Sequence, residues 1–141
     1  MAQEMRSPIE SGCPDGFQYM HPVMRKNYGQ WAYHEDPQPG VLVHVANSGD
    51  KIWTVRAGTQ RILDVFTLRT LCDIGDKYGE GYVHFTIRSN IEYQVADEAK
   101  VEPLIKALRD AGFIVGGTRN SVAMMSHTQG WLHCDIPGTD A

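Results

Sequence analysis

Between residues 51 and 115 the sequence switches regularly between two hydrophobic periods, and this switching constrains the fold more than any other feature. Apolar residues alternate at every second position in some segments and recur at three- and four-residue spacing in others. The segments read, in order, as strand 51–56, helix 68–78, strand 82–87, strand 91–95, helix 101–108 and strand 113–115. This order predicts an α+β, ferredoxin-like βαββαβ sandwich with both helices on one face of the sheet.

Local signals at the ends of these segments support the prediction. Asp64 precedes the first helix as a capping residue, and Gly79 is placed to end that helix. Pro103 suits the first turn of the second helix, which Gly112 should close. The turn sequence at 47–50 lies between two alternating runs and predicts a hairpin ahead of the sandwich.

The chain divides into three parts by composition. Residues 1–40 hold five of the seven prolines and show no sustained periodicity, which predicts an irregular N-terminal arm. Three aromatic residues, Tyr28, Trp31 and Tyr33, indicate that the arm covers a neighbouring subunit or packs on its own domain. Residues 41–115 form the ferredoxin-like part. Residues 116–141 are rich in Gly, Thr, Ser and His and begin a different region.

Charge and hydropathy exclude several classes of protein. The 141 residues carry 13 Lys plus Arg and 17 Asp plus Glu, a formal charge of −4 that argues against general nucleic-acid or anionic-membrane binding. No run approaches the roughly 18 apolar residues that cross a bilayer. The first residues lack the apolar core of a secretory signal. We therefore expect a cytoplasmic protein without membrane insertion.

The three cysteines, Cys13, Cys72 and Cys134, are too few and too dispersed for a disulfide framework or a complete cysteine cluster. Cys72 falls on the apolar stripe of the first helix and is expected in the core. Cys13 lies in the arm and is expected to be incidental. Cys134 follows a polar segment that contains His127, Thr128, Gln129 and His133, and it is either a thiolate ligand of a metal or an inert buried thiol.

Strand alternation predicts a polar sheet face. His84, Thr86 and Arg88 fall on one side of their strand, with Asn90 beyond the corner and Arg56 at the end of an earlier strand. Two guanidinium groups on one face favour anion binding, whereas the simpler interpretation is a solvated face of paired charges. Backbone N–H groups at Gly116, Gly117 and Thr118 either face an anion or belong to a turn.

Three long stretches resemble the beta subunit of dissimilatory sulfite reductase, a sirohaem and iron–sulfur protein. They are KNYGQWAYHEDPQPGVLVHVANSGDKIWTVRAGT, LCDIGDKYGEGYVHFTIRSNIEY and HTQGWLHC. The resemblance runs from about Pro22 to Ala141 and covers only the N-terminal part of that longer family.

The resemblance implies roles for residues. It makes Cys134 the first of four thiolate ligands of a [4Fe–4S] cluster, with the other three in a later segment. It assigns catalytic anion contacts to Arg56 and Arg88, and it places His84 where the family usually has arginine. The positions implied for cofactor binding are Thr86, Arg88, His84, Asn90, Gly117, Thr118, His127, Thr128, Gln129 and His133.

The implied reaction is the six-electron reduction of sulfite at sirohaem coupled to the [4Fe–4S] cluster, or the reverse, sulfur-oxidising direction. The implied partners are a homologous alpha subunit in an α2β2 assembly and a small cysteine-bearing sulfur-carrier protein. The alternative is a non-catalytic ferredoxin-like module that binds an anion or a protein through its open sheet.

Overall fold

The computed structural model of the chain describes residues 16–59 and 62–118. The strands in these ranges are β1 (Trp31–Gln38), β2 (Val41–Ala46), β3 (Lys51–Gly58), β4 (Val83–Phe85) and β5 (Asn90–Val95). The α-helices in the same ranges are α1 (Pro22–Lys26), α2 (Val65–Tyr78) and α3 (Val101–Asp110). Short 3₁₀ helices occupy Gly16–Tyr19 and Glu98–Lys100.

The strands form one antiparallel sheet in the order β1-β2-β3-β5-β4. Helices α2 and α3 cover one face, and the buried core lies between them and the sheet. The core side chains from the strands are Val41, Val55, Ala57, Ile91, Tyr93 and Val95, and those from the helices are Leu71, Ile74, Val101, Leu104, Ile105 and Leu108. The opposite face is not covered by α2 or α3, and we refer to it as the open face, although Ile52 and Thr54 on it are buried. The α+β, ferredoxin-like prediction is confirmed.

The helix ends follow from the residues that the sequence provides there. The Asp64 carboxylate accepts a hydrogen bond from the Thr67 N–H at 2.6 Å, which caps α2 and lowers the pKa of Asp64. At the other end, the Gly79 N–H donates to the Gly75 carbonyl at 3.0 Å. Gly112 has a φ of 88° beyond α3, a conformation that favours glycine.

The predicted last strand is shorter than expected. Residues 113–115 contribute only a single bridge, between Ala57 and Val115. The reason is that β2 already occupies the same edge of β3 from Val55 back to Lys51. Residues 113–118 therefore contact β3 only near the C-terminal end of that strand, where they approach the open face.

The prediction of an irregular N-terminal arm is wrong for part of residues 1–40. The described part contains α1 and the eight-residue strand β1, which pairs with β2. The prolines are compatible with this strand because β1 is at the sheet edge, and Pro37 lies at a shift in the β1–β2 register. Trp31 packs its ring against His44 at 6.0 Å, a contact within the same domain. Residues 1–15 lie outside the described ranges.

A buried polar contact joins the start of α1 to the end of the sheet. His21 accepts a hydrogen bond from the Val23 N–H through Nδ1, so Nε2 carries the proton and donates to Glu80 at 2.6 Å. Glu80 also accepts from the Ala96 N–H at 3.1 Å and from Lys100 at 3.0 Å. Burial raises the pKa of Glu80, but these hydrogen bonds outweigh it and lower the pKa to about 2.

Candidate functional site

A row of charged side chains crosses β3, β5 and β4 on the open face. The strand register places Arg56 opposite Glu92 and Glu92 opposite His84. Because neighbouring positions on these strands point into the core beneath α2 and α3, the three side chains share the opposite, open face. Strand alternation in the sequence predicts the same face for Arg56 and His84.

Glu92 is the acceptor at the centre of this row, and the sequence analysis did not single it out. Arg56 donates from Nε to Glu92 Oε1 at 2.5 Å, and Arg56 Nη2 contacts the same oxygen. His84 Nδ1 lies 3.1 Å from Glu92 Oε2. The side chains of Arg56 and Glu92 are only 15% and 8% exposed, so their charges compensate each other away from water. The role of Glu92 depends on the register between neighbouring strands, which the sequence does not specify.

Arg88 approaches Arg56 from a turn. The predicted strand 82–87 is shortened to Val83–Phe85, because the Thr86 N–H bonds to the Asn90 carbonyl at 2.9 Å and closes a turn. Arg88 then donates to the Gly117 carbonyl at 3.1 Å, and Arg56 donates to the same oxygen at 2.7 Å. The two guanidinium groups therefore converge on one backbone atom.

This arrangement corrects the expected role of the 116–118 backbone. The Gly116 N–H donates to the Arg56 carbonyl at 3.2 Å, so it is not available to an anion. Gly117 contributes a carbonyl acceptor, with a φ of 80°. Thr118 is buried, where its hydroxyl accepts from the Gly40 N–H at 3.2 Å and contacts Asp36. These residues fix the position of the arginines.

The hydroxyl of Thr86 is likewise engaged within the turn. Thr86 Oγ1 accepts a hydrogen bond from the Asn90 N–H at 3.2 Å. Ser89, in the same turn, has a φ of 58°, a left-handed conformation that is uncommon outside glycine. Thr86 thus shapes the turn that presents Arg88 and Asn90.

Asn90 is fully buried, with 0% of its surface exposed. Neither its Nδ2 nor its Oδ1 has a hydrogen-bond partner in the part of the chain that the structure describes. Buried amides almost always find partners, because an unpaired polar group costs about 1–3 kcal/mol. Within the described ranges, the Asn90 amide is thus a buried donor and acceptor without a partner, on the same strand as Glu92.

The polar side chains fit an anionic, carboxylate-bearing ligand. Within the described ranges Arg88 forms no ion pair, so its charge is uncompensated, whereas that of Arg56 is balanced by Glu92. A guanidinium has five N–H donors in a planar fork, and Arg88 uses one hydrogen bond to Gly117. The unpaired amide of Asn90 adds neutral hydrogen-bonding capacity. Within residues 16–59 and 62–118, the site combines an arginine without an ion pair, an arginine held by Glu92 and a buried amide without a hydrogen-bond partner.

Several predicted ligands lie outside the described residues. These are His127, Thr128, Gln129, His133 and Cys134. Among residues 16–59 and 62–118, no group of three or more His, Cys, Asp or Glu side chains is arranged to hold a metal ion. The role of Cys134 therefore stays a prediction.

The expectation that Cys72 lies in the core is wrong. Leu71, Ile74 and Gly75 form the buried side of α2, and Cys72 is rotated away from them and exposed. It borders a cavity of about 390 Å³ that is also lined by Tyr19, Tyr82 and Val83. The prediction included Cys72 in the apolar stripe of the helix, whereas the buried stripe includes the neighbouring Leu71 but not Cys72.

Comparison with known proteins adds two findings. Residues 44–111 match the nitrite/sulfite reductase ferredoxin-like half domain. The chain is also similar to proteins named sulfite reductase, dissimilatory-type subunit beta. It is 49% identical to that of Archaeoglobus fulgidus over 129 residues, which are 86% of this chain and 35% of the relative.

Two further relatives bear the same name. Identity is 48% over 131 residues with the protein of Nitratidesulfovibrio vulgaris, covering 88% of this chain and 34% of the relative. It is 40% over 148 residues with that of Megalodesulfovibrio gigas, covering 99% and 56%. The chain thus spans between about a third and just over half of the length of these relatives.

None of the described helices is both long and apolar enough to cross a membrane.

Proposed function

The chain belongs to the family of dissimilatory-type sulfite reductase beta subunits, and from this premise we propose that it forms part of an oxidoreductase that reduces sulfite. The observation that carries the proposal is the convergence of Arg56 and Arg88 on the Gly117 carbonyl beside the unpaired amide of Asn90. Sulfite is a small oxyanion, and such anions are bound by guanidinium forks and amide donors.

The cofactors that we propose are sirohaem and a [4Fe–4S] cluster, which when bound would pass electrons from an external donor and provide the iron for reduction. Arg56, Arg88, His84 and Asn90 are the described residues that would face a carboxylate-bearing sirohaem. We propose Cys134 as a cluster ligand and Thr128, Gln129, His127 and His133 as cofactor contacts, on the family resemblance alone.

In this proposal the two arginines have different tasks. Arg56 is held by Glu92 and Gly117 at short distances, so it presents a fixed positive edge that does not need to reorganise when an anion binds. Arg88, which forms no ion pair in the part of the chain that the structure describes, neutralises the bound anion. Thr86, Gly117 and Thr118 position the arginines and the turn.

His84 adds a third side chain to the row on the open face. It is 53% exposed, and its Nδ1 lies 3.1 Å from Glu92 Oε2. In this proposal His84 contacts a carboxylate of sirohaem, at the position where the resemblance implies an arginine in most of the family.

We also propose the partners that the family resemblance implies. These are a homologous alpha subunit in an α2β2 assembly and a small cysteine-bearing sulfur-carrier protein, in the cytoplasm. The name of each relative identifies it as a beta subunit, which supports an alpha partner. The reductive and the oxidative directions would use the same residues.

The test is a chimaera in which residues 22–141 replace the matching segment of the Nitratidesulfovibrio vulgaris beta subunit, produced with its alpha subunit. We expect the visible absorption of sirohaem and sulfite-dependent oxidation of a reduced dye. Arg88→Ala should lower the turnover at least about tenfold, since it removes a charge at the anion. Arg69→Ala, an exposed arginine on α2, is the matched control.

A chimaera that assembles with the alpha subunit but shows no sirohaem absorption would overturn the proposal. It would favour the alternative of a non-catalytic anion- or protein-binding module. Equal turnover of the Arg88→Ala and Arg69→Ala variants would remove Arg88 from the site.

A further inference from the structure

A pair of histidines lies on the open face, on the two strands at the β1 side of the sheet. The register of β1 and β2 sets His34 directly opposite His44. Their Nδ1 atoms are 2.8 Å apart, and the two rings are inclined at 80° with centroids 4.7 Å apart. His34 is exposed at the sheet edge, so the pair is open to solutes.

The orientation of His44 is fixed by its neighbours. Its Nε2 lies 3.1 Å from the hydroxyl of Thr54, and the Thr54 side chain is buried. The ring of Trp31 packs against His44 as well, because a shift in the β1–β2 register turns Trp31 toward this face. When Nε2–H donates to Thr54, the lone pair of Nδ1 points at His34.

A metal-binding histidine usually donates its other ring N–H to an oxygen acceptor, and the bond between His44 and Thr54 is of this kind. It fixes the ring so that Nδ1, the nitrogen that faces His34, is the one available to a metal.

We propose that His34 and His44 form a two-histidine site for a divalent transition metal that prefers right-angled ligands, Ni²⁺ or Cu²⁺, with water in the remaining positions. Two metal–nitrogen bonds of about 2.0–2.1 Å place their nitrogens about 2.9 Å apart at a right angle and about 3.4 Å apart at the tetrahedral angle. The observed 2.8 Å matches the right angle. Square-planar or octahedral coordination is typical of Ni²⁺ and Cu²⁺.

Metal binding replaces the hydrogen bond between the two rings without net loss of a proton. In the metal-free pair, one Nδ1 donates and the other accepts. When a metal enters, the proton of His34 moves from Nδ1 to its Nε2, so that both Nδ1 atoms can bind through lone pairs. The two ligands belong to β1 and β2, whereas the proposed anion site uses side chains of β3, β5 and the turn 86–90. Arg56 and Glu92 still lie near enough to His44 to interact with it electrostatically.

The test is a calorimetric titration of the 141-residue chain with Ni²⁺ alone, which avoids oxidation of thiols by Cu²⁺. All titrations use a background with His127→Ala, His133→Ala and Cys134→Ala, because these side chains are potential ligands themselves. We expect one Ni²⁺ per chain. His34→Ala should weaken binding roughly a hundredfold, since the second bond to a chelated metal is intramolecular.

Two further variants separate a ligand from a structural role. Thr54→Val removes the hydroxyl with little change in shape and should weaken Ni²⁺ binding about tenfold. His84→Ala removes another exposed histidine of the same face and should leave binding unchanged. Zn²⁺, which prefers the tetrahedral angle, should bind more weakly than Ni²⁺.

Absence of Ni²⁺ binding in the background chain would overturn the inference. So would unchanged affinity in a folded His34→Ala variant, which would identify the pair as a simple hydrogen bond. Because His34 is exposed on an edge strand, its replacement leaves the core intact, and circular dichroism verifies this. Neither result affects the proposed sulfite chemistry.

Discussion

Asn90 is a polar residue in a buried position. It is completely buried, yet both polar atoms of its amide lack partners among the described residues. Asn27 is also buried, but its amide donates to the Val23 carbonyl at 3.0 Å and to Asp50 at 2.9 Å. Comparing these two residues separates the free-energy cost of burying an amide from the stabilisation that its hydrogen bonds provide.

We predict opposite effects of the same substitution at these two positions. Asn90→Leu should leave the free energy of unfolding unchanged or raise it by about 1 kcal/mol, because an unpaired buried amide is replaced by an apolar group. Asn27→Leu should lower it by about 1–3 kcal/mol, because Asp50 and the Val23 carbonyl lose a donor. Urea unfolding of the 141-residue chain measures both. A loss at Asn90 as large as at Asn27 would contradict the prediction.

The Arg56–Glu92 pair gives a second prediction. Arg56→Ala removes the guanidinium that balances the buried Glu92 charge and leaves only the half-exposed His84 beside it, so it should lower the free energy of unfolding by about 3–5 kcal/mol. The double variant Arg56→Ala with Glu92→Ala should recover much of that loss, because neither charge remains. Arg88→Ala should cost less, since Arg88 forms no described ion pair. Additive losses in the double-mutant cycle, measured by urea unfolding, would show that the pair is not coupled.

At the residue scale the sequence indicated which side chains share a face but not which atoms meet. Alternation predicts one face for Arg56 and His84. It contains no information on the strand register that places Glu92 between them, or on the Gly117 carbonyl that both arginines use. The prediction for Cys72 is wrong because successive residues of a helix are rotated by about 100°. A residue next to a buried one can therefore face the solvent.

At the scale of elements, Gly40 is the point where the β1–β2 turn packs closely against the segment that holds Gly117. Its φ is 85°, and a Cβ atom there would lie 2.6 Å from the Gly116 nitrogen and 2.7 Å from Val115. The Arg56 N–H also donates to the Gly40 carbonyl at 2.7 Å. Gly49 has a similar φ of 87°, but nothing lies within 4 Å of its Cβ position.

We predict that Gly40→Ala lowers the free energy of unfolding by about 2–4 kcal/mol, from backbone strain together with the clash. Gly49→Ala should cost only about 1 kcal/mol, since strain acts there without the clash. The difference between the two variants in urea unfolding isolates the close approach of the two segments. Equal losses would show that the approach contributes nothing.

The contact between His21 and Glu80 predicts a dependence of stability on pH. The pKa of Glu80 is about 2 in the folded chain, below the ordinary value of 4.5. The carboxylate therefore stabilises the fold fully above about pH 4.5, and this stabilisation is lost as the pH falls toward 2. The gap between the two pKa values corresponds to at most about 3 kcal/mol.

Glu80→Gln should flatten this dependence between pH 5 and about pH 3, because the amide does not titrate. The measurement is the free energy of unfolding at several pH values for both proteins. Asp50, whose pKa is also lowered to about 2 by Lys26 and Asn27, titrates equally in both and cancels. Parallel curves for the two proteins would contradict the assignment to Glu80.

Among the elements, those that carry strong local signals were predictable. The cap at Asp64 and the stop at Gly79 define α2 closely. β1 was missed because Pro37 and Pro39 suggest irregular chain, and only the pairing with β2 shows that the edge position tolerates them. β4 was predicted too long because the turn that closes on Asn90 competes with the strand.

At the scale of the whole molecule, the number of cysteines limits what the chain can bind. A [4Fe–4S] cluster needs four thiolates, and the sequence has three cysteines, of which Cys72 is displayed on the outer side of α2. We predict that the 141-residue chain alone does not hold a [4Fe–4S] cluster or sirohaem tightly. Anaerobic reconstitution with iron, sulfide and sirohaem, followed by gel filtration, measures this. Retention of four irons per monomer would contradict it.

The two outer edges of the sheet differ in how they would behave in concentrated solution. β1 is interrupted by register shifts and carries Pro37, features that discourage the addition of foreign strands. β4 pairs with β5 without a shift, and Phe85 and the nearby Ile87 are 63% and 95% exposed. The three residues of β4 offer few backbone groups to a foreign strand, so association at this edge would come from the exposed apolar side chains. Yield and storage of the isolated chain should therefore depend on β4 more than on any residue of the anion site.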